Sequence, residues 1–296
     1  MTEFVSPWKM SEGFSPDIPA LEELLLQRVV DGGDWSSGAL AVSLDAWVAR
    51  ELVRSGFPPD EVWPRPDAPA VLPREVGLLL ARANPTLRAE LLKLIRRTPG
   101  VASSDARVLG KAYLKQVDVV MAQWSRGPEL MISTKTMMSS FRKNLPNRFE
   151  EAYGDAANLR GRYPLAAIGF VFAMRAAALA EPGTVQRAVD MLRKLKDPST
   201  YDATCLILVD VERAQGDSLG IADVLESEVP EDLRSSQFFE SMIDRVLDSS
   251  PVDMHVRVRE QREGRNIAPP HWSLSARPVA ACRVSHSRVV ISGCVL

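Results

Sequence analysis

VDVVMAQWSRGPELMISTKTM, residues 117 to 137, reads as two strands joined by a turn at Ser125-Arg126-Gly127-Pro128. Both arms are rich in apolar and β-branched residues and the Gly-Pro pair marks a reversal, so the stretch predicts a β-hairpin. With the turn centred on Arg126 and Gly127, Trp124 faces Glu129 and Asp118 faces Lys135. Opposed residues of an antiparallel ladder point to one face, and side chains alternate along a strand, so Ser133 joins that face. Asp118, Ser133 and Lys135 therefore form one patch. A carboxylate beside an ammonium at a strand end can hold a hard divalent cation and steady an attacking water. A plain cross-strand ion pair would instead contribute only about 0.2–1 kcal/mol.

Beyond the hairpin, Asn144-Leu145-Pro146 predicts a helix start, with Asn144 as cap and the proline in the first turn, where a missing N–H costs little. Leu145, Phe149, Ala152, Ala156 and Leu159 then recur as one apolar stripe at helical spacing. Pro164 to Met174 is a continuous apolar run that fits a central strand or a buried helix, with the strand preferred, and Ala203 to Val211 reads as a buried strand, with an amphipathic helix from Thr184 to Lys196 between them. Further helices are expected at about 219 to 228 and 231 to 248. Ahead of the hairpin, residues 74 to 97 predict a helix kinked or divided at Asn84-Pro85. Residues 74–250 thus describe an α/β domain, a mixed sheet flanked by helices. Residues 1–57 read as a small helical lead-in, and Pro58, Pro59, Pro64, Pro66, Pro69 and Pro73 make 58–73 a stiff connector. From Pro251 the composition shifts: all three histidines and two of three cysteines fall there, without any lysine, so 251–296 is expected to be an irregular tail.

With 296 residues, 46% of them hydrophobic, the chain can fill a sizeable core. A net charge of -2 excludes a chain that is basic throughout, so any attraction to nucleic acid must come from local clustering. Cys205, Cys282 and Cys294 are far apart, which fits neither a disulfide framework nor a zinc ribbon and points to a reducing cytoplasm. The opening MTEFVSPWKMSEGF does not read as a secretory leader. The longest apolar segment, Pro164 to Ala180, contains Arg175 and is too short for a bilayer, so no membrane partner is expected.

A cation site needs a second carboxylate. Glu129 lies six residues, about 20 Å of strand, from Lys135 and beside the turn, which leaves Glu150, Glu151 and Asp155 on the following helix. Glu150 lies off the apolar stripe and Glu151 at its edge. The same region gathers Lys135, Arg142, Lys143, Arg148, Arg160 and Arg162 against those three acids, with Asn144, Asn147 and Asn158 as neutral donors. Such a cluster suits a phosphate backbone. Motifs for a P-loop, a zincin or a GxSxG hydrolase are absent, and Ser140-x-x-Lys143 lacks its companion motifs.

A strand-start Asp118, a turn, and a second strand ending in Ser133-Thr134-Lys135 resemble the PD-(D/E)XK nuclease superfamily, the restriction-endonuclease-like fold. The stretch ISTKTMMSSFRKNLPNRFEEAYGDAANLRGRYPLAAIGF is similar to prokaryotic restriction-type endonucleases. Val117 stands where the family name has Pro, and Ser133 where its acid would be. The resemblance implies that Asp118 ligates Mg²⁺, that Glu150 or Glu151 supplies the relocated ligand, that Lys135 positions or polarises water, and that Ser133 marks the vacated place. It also suggests a weaker match of Glu75 to an additional acid on a preceding helix. The expected protein is a Mg²⁺-dependent endonuclease that cuts double-stranded DNA in phage defence, with Arg142, Lys143, Asn147, Arg148, Arg160 and Arg162 on the DNA. Cutting both strands of a symmetric site would suit a homodimer. The alternative is a catalytically inactive DNA-binding or assembly module of the same fold.

Overall fold

The computed structural model describes residues 6–9, 12–30, 38–98, 100–103, 105–212 and 221–265. Its first elements are β1 (Trp8–Lys9), β2 (Gly13–Phe14), α1 (Ile18–Val30), α2 (Ala39–Arg54), β3 (Val62–Trp63), α3 (Arg74–Arg82), α4 (Pro85–Arg97), β4 (Ala106–Leu109) and β5 (Leu114–Val117). There follow β6 (Val119–Gln123), β7 (Gly127–Met137), α5 (Phe141–Arg160), β8 (Ala167–Arg175), α6 (Thr184–Leu195), β9 (Ala203–Glu212), β10 (Ile221–Val224), α7 (Ser235–Asp248) and α8 (Val256–Arg262). The fold is mixed α/β. Six strands make one sheet in the order β10-β9-β8-β7-β6-β3, in which β7, β8 and β9 are parallel and the other neighbours antiparallel.

The hairpin forms as β6 and β7, but its turn lies earlier than the sequence suggests. Gly127 takes φ +72 and already pairs with Gln123, so the loop is Trp124 to Arg126. A three-residue loop closed by a left-handed glycine is a standard solution for twisted strands. Val119 pairs with Ile132, two residues away from the expected register, and Asp118 lies just outside the ladder, at the bend between β5 and β6. A slip of two residues returns every side chain to its original face, because the period of a strand is two. Ser133 and Lys135 keep their common face for that reason, while Asp118 at the bend reaches the Thr134 N–H of the same strand.

Each face of the sheet has its own core. Val119, Met121, Leu130 and Ile132 meet Leu44, Trp47, Val48 and Leu52 of α2 and Phe238, Phe239 and Met242 of α7. Val120, Met131, Phe170 and Phe172 meet Leu145, Phe149, Ala152, Ala156 and Leu159 of α5 and Leu192 of α6. All five residues of the expected α5 stripe are buried. At Gly169 a Cβ would come within 2.8 Å of the Phe238 ring, so only glycine lets α7 lie this close to β8.

Several boundaries differ from expectation. The N-terminal helices are no separable lead-in, since α1 and α2 cover one face of the sheet. Inside the proline-rich 58–73, Val62–Trp63 forms the edge strand β3, a position where nearby prolines cost no ladder bonds. Helix α5 starts at Phe141 rather than Asn144, with Ser140 in a left-handed cap and Pro146 inside the helix. The stretch expected as a helix at 219–228 supplies β10 against β9 in its described part, followed by a short 3-10 turn. The described start of the tail is folded: Val258 of α8 is fully buried, and His255 bonds Glu129 at 3.1 Å beneath Phe57. The rest of that expected tail, with Cys282 and Cys294, lies outside the described residues. Helices α3 and α4 are divided at Asn84, whose side chain accepts from the Leu87 N–H as an N-cap. Among the described residues no helix is long and apolar enough to cross a membrane.

Candidate functional site

Where β5 passes into β6, Asp118 Oδ2 accepts a 2.8 Å hydrogen bond from the Thr134 N–H. Thr134 points to the opposite face from Ser133 and Lys135, and its hydroxyl donates to Asp45 Oδ1 of α2 at 2.5 Å. Two carboxylates from distant segments thus converge on one residue of β7. Burial, with the Asp118 charge adding to it, pushes the Asp45 carboxyl up to about 7. Burial also raises Asp118, against the opposing pull of Lys135 and the Thr134 N–H. These two acids are poorly satisfied as a pair of anions in a shielded place.

Lys135 lies on the other side of Asp118 and pairs with Glu151 of α5 at 3.4 Å. Burial raises the Glu151 carboxyl, but the Lys135 charge and a 3.1 Å bond from Arg148 outweigh it and hold it below the usual range. Of the two glutamates left open by the sequence, Glu151 therefore approaches the patch, while Glu150 is exposed. Glu151 is tied to cations rather than to Asp118. One turn on, Asp155 is buried and pairs with Lys115 of β5 at 2.5 Å, and Tyr113 donates to it at 3.1 Å.

Ser133 is buried against Tyr201, whose hydroxyl donates to the Ala152 carbonyl at 2.9 Å. Burial raises the Tyr201 phenol well above its usual range, with the nearby acids adding to the effect and a Ser133 hydrogen bond opposing it. The place expected to be a vacated ligand position is thus filled by structure.

The expected DNA contacts divide. Arg142, Lys143, Asn147 and Arg162 are exposed, and Arg148 is partly so while holding Glu151. Arg142 also donates to the Pro182 carbonyl at 3.0 Å. Arg160 is corrected: it is largely buried, paired with Asp202 at 2.5 Å and donating to the Ala166 carbonyl at 2.8 Å. It clamps α5 to the strands it covers. Asn158, expected as a surface donor, is buried and holds the β4–β5 turn, accepting from the Ala112 N–H at 2.8 Å and donating to the Tyr113 carbonyl at 3.1 Å. Replacing Asn158 with alanine leaves the Ala112 N–H without its partner, the Tyr113 carbonyl keeping the Gly110 N–H, and is expected to cost about 1–2 kcal/mol in a urea melt. Glu75 is exposed on α3, whose Leu80 belongs to a separate small core, so it does not reach the site.

Asp45 is the residue that sequence reading missed. Its signal was an acid wedged between Leu44 and Trp47 on the apolar side of α2. For a divalent cation, the donor set here is the Asp45 and Asp118 carboxylates. No group of three or more histidine, cysteine, aspartate or glutamate residues suited to a metal occurs among the described residues. A cation beside Asp45 would favour its ionised form against the burial, and secondarily the Asp118 charge, that raise it. Comparisons with protein-family models, with curated proteins and with solved structures find no match for this chain.

Proposed function

We propose that the chain is a Mg²⁺-dependent endonuclease of the restriction-endonuclease-like, PD-(D/E)XK kind, hydrolysing phosphodiester bonds of double-stranded DNA in phage defence. The observation that carries this reading is the convergence of Asp118 and Asp45 on Thr134, with Lys135 as the next residue of the same strand. The hairpin followed by α5 and the parallel strand β8 supports the fold assignment.

In this reading Asp45 and Asp118 hold Mg²⁺, which when bound supplies Lewis-acid stabilisation of charge developing on the phosphate. Lys135 donates hydrogen bonds from its ammonium to the attacking water and to a phosphate oxygen, holding both in line. Glu151 restrains Lys135 from the helix side. Exposed Arg142, Lys143 and Arg162 supply sequence-independent attraction to the DNA backbone.

Plasmid DNA incubated with the protein at low salt in Mg²⁺ is expected to be cut, and the same preparation in EDTA is expected to leave it intact. Intact plasmid in both, across methylated and unmethylated DNAs, would overturn the nuclease reading. One observation favours a second reading, an inactive DNA-binding or assembly module: Ser133 is buried beside Tyr201 where a third acid would otherwise contribute. That reading is distinguished by DNA binding that needs no metal and yields no product.

A further inference from the structure

We propose that the two-stranded ribbon β4–β5 is the element that reads base sequence, lying in the major groove of duplex DNA. This rests on duplex DNA being the substrate, as argued above, and extends that reading to specificity. Between Ala106 and Val117 the ribbon contains Arg107, Lys111 and Lys115 and no acidic residue. Its register sorts the side chains cleanly. Ala106, Val108 and Val117 turn inward to the core beneath α5, and Lys115 turns to Asp155. Arg107 and Gln116 oppose each other on the outer face, where the Gln116 amide donates to Asp105 at 3.3 Å across an exposed contact that a base edge would have to replace, and Leu109 and Leu114 form the next pair there, 47% and 54% exposed.

The exposed leucine pair gives this outer face a small apolar contact beside its polar groups. The groove of B-DNA is wide enough for a two-stranded ribbon, and the chemistry of this face matches what it presents. Arginine pairs with guanine, the glutamine amide with adenine, and apolar side chains with the thymine methyl. The ribbon is also rigidly mounted. Asn158 holds its turn by side chain, the Lys111 N–H donates to the Asn158 carbonyl at 2.8 Å, and Tyr113 and Lys115 both bond Asp155. At Gly110 any Cβ would collide with the Asn158 amide, 2.2 Å away. Gln116 is two residues, about 7 Å of strand, from Asp118, so bases held by the ribbon lie beside the phosphates that reach the acids.

The test is selection of binding sequences from a pool of randomised duplexes by the full chain in EDTA, where no cutting occurs. Wild type is expected to enrich a defined sequence. The double variant Arg107→Ala with Gln116→Ala is expected to lose preference by about tenfold or more at the read positions while retaining binding to mixed-sequence duplex. Lys111→Ala is expected to weaken all duplexes alike and to lower the salt dependence by about one ion. Leu109→Thr with Leu114→Thr serves as a second variant, and a thermal melt of each confirms folding. An unchanged consensus in both double variants, or no consensus from wild type, overturns the proposal. Plasmid cutting by the same wild-type preparation separates the two readings. Cutting without a consensus removes the ribbon's role alone, whereas a ribbon-dependent consensus without cutting removes catalysis alone.

Discussion

Lys135→Ala is expected to lower metal-dependent cleavage of duplex DNA by about 10²–10³-fold or more, the usual scale for loss of one preorganised charge at a reacting phosphate. The fold should be almost indifferent. Lys135 and Glu151 form a partly exposed pair, 20% and 39%, and such pairs contribute at most about 1 kcal/mol. The loss has a second component. The Lys135 charge lowers both Asp118 and Asp45, so removing it makes both acids harder to ionise. Single-turnover cleavage measured against pH should therefore show any residual activity of the variant rising at higher pH than wild type. Lys135→Arg restores the charge but not the compact ammonium, and is expected to recover the pH profile more than the rate. Wild-type rates in Lys135→Ala would end the catalytic assignment.

Asp45→Asn is expected to abolish cleavage and yet to stabilise the protein above neutral pH. In the unfolded chain this carboxyl ionises near 3.8, whereas in the folded state it keeps its proton to about 7. Between those values the folded state binds more protons, so stability falls as pH rises through the window and the full penalty is present above 7. For a partly exposed group held that far from its ordinary value, the penalty is roughly 2–4 kcal/mol. An asparagine keeps the Thr134 hydroxyl satisfied and never ionises. At pH 8 its Tm should exceed that of wild type by about 4–10 °C, and at pH 4 the two should coincide. Because a proton and a cation compete for Asp45, the Mg²⁺ needed for half-maximal cleavage by wild type should fall as pH rises through about 7. A variant less stable than wild type at pH 8 would show that Asp45 carries no such strain.

Much of this arrangement is legible in the chain because local patterns survive small errors. The sequence places the hairpin turn too late, yet it keeps Ser133 and Lys135 on one face, since a two-residue slip preserves the face of a strand, whereas the bend that takes Asp118 out of the ladder leaves no periodic signal. The α5 stripe, strand β9 and the burial of β8 are likewise readable, being runs whose burial is decided by their own composition, although the continuous apolar run of β8 fits a helix as well as a strand. Asp45 is not. It comes from a helix separated from the hairpin by a proline-rich stretch that reads as a connector, and only the packing of Leu44 and Trp47 on the sheet brings it to Thr134. Arg160 and Asn158 mislead for a related reason: their polarity suggests solvent, but each is spent on backbone carbonyls and amides of other segments. Strand β10 reads as helical because a four-residue edge strand carries too little period to declare itself.

Helix α5 touches both the Lys135 end of β7 and the ribbon. Glu151 reaches Lys135, Asp155 reaches Lys115, and Asn158 holds the turn, three contacts spaced four and three residues apart along one side of the helix. At 1.5 Å per residue they span about 10 Å. That length is a gauge cut into the protein. It equals about three base-pair steps of a 3.4 Å rise, and it cannot stretch unless the helix itself gives way. A ligand held by the ribbon would therefore sit at a constant offset from Lys135, set by the helix and not by the flexibility of the ligand.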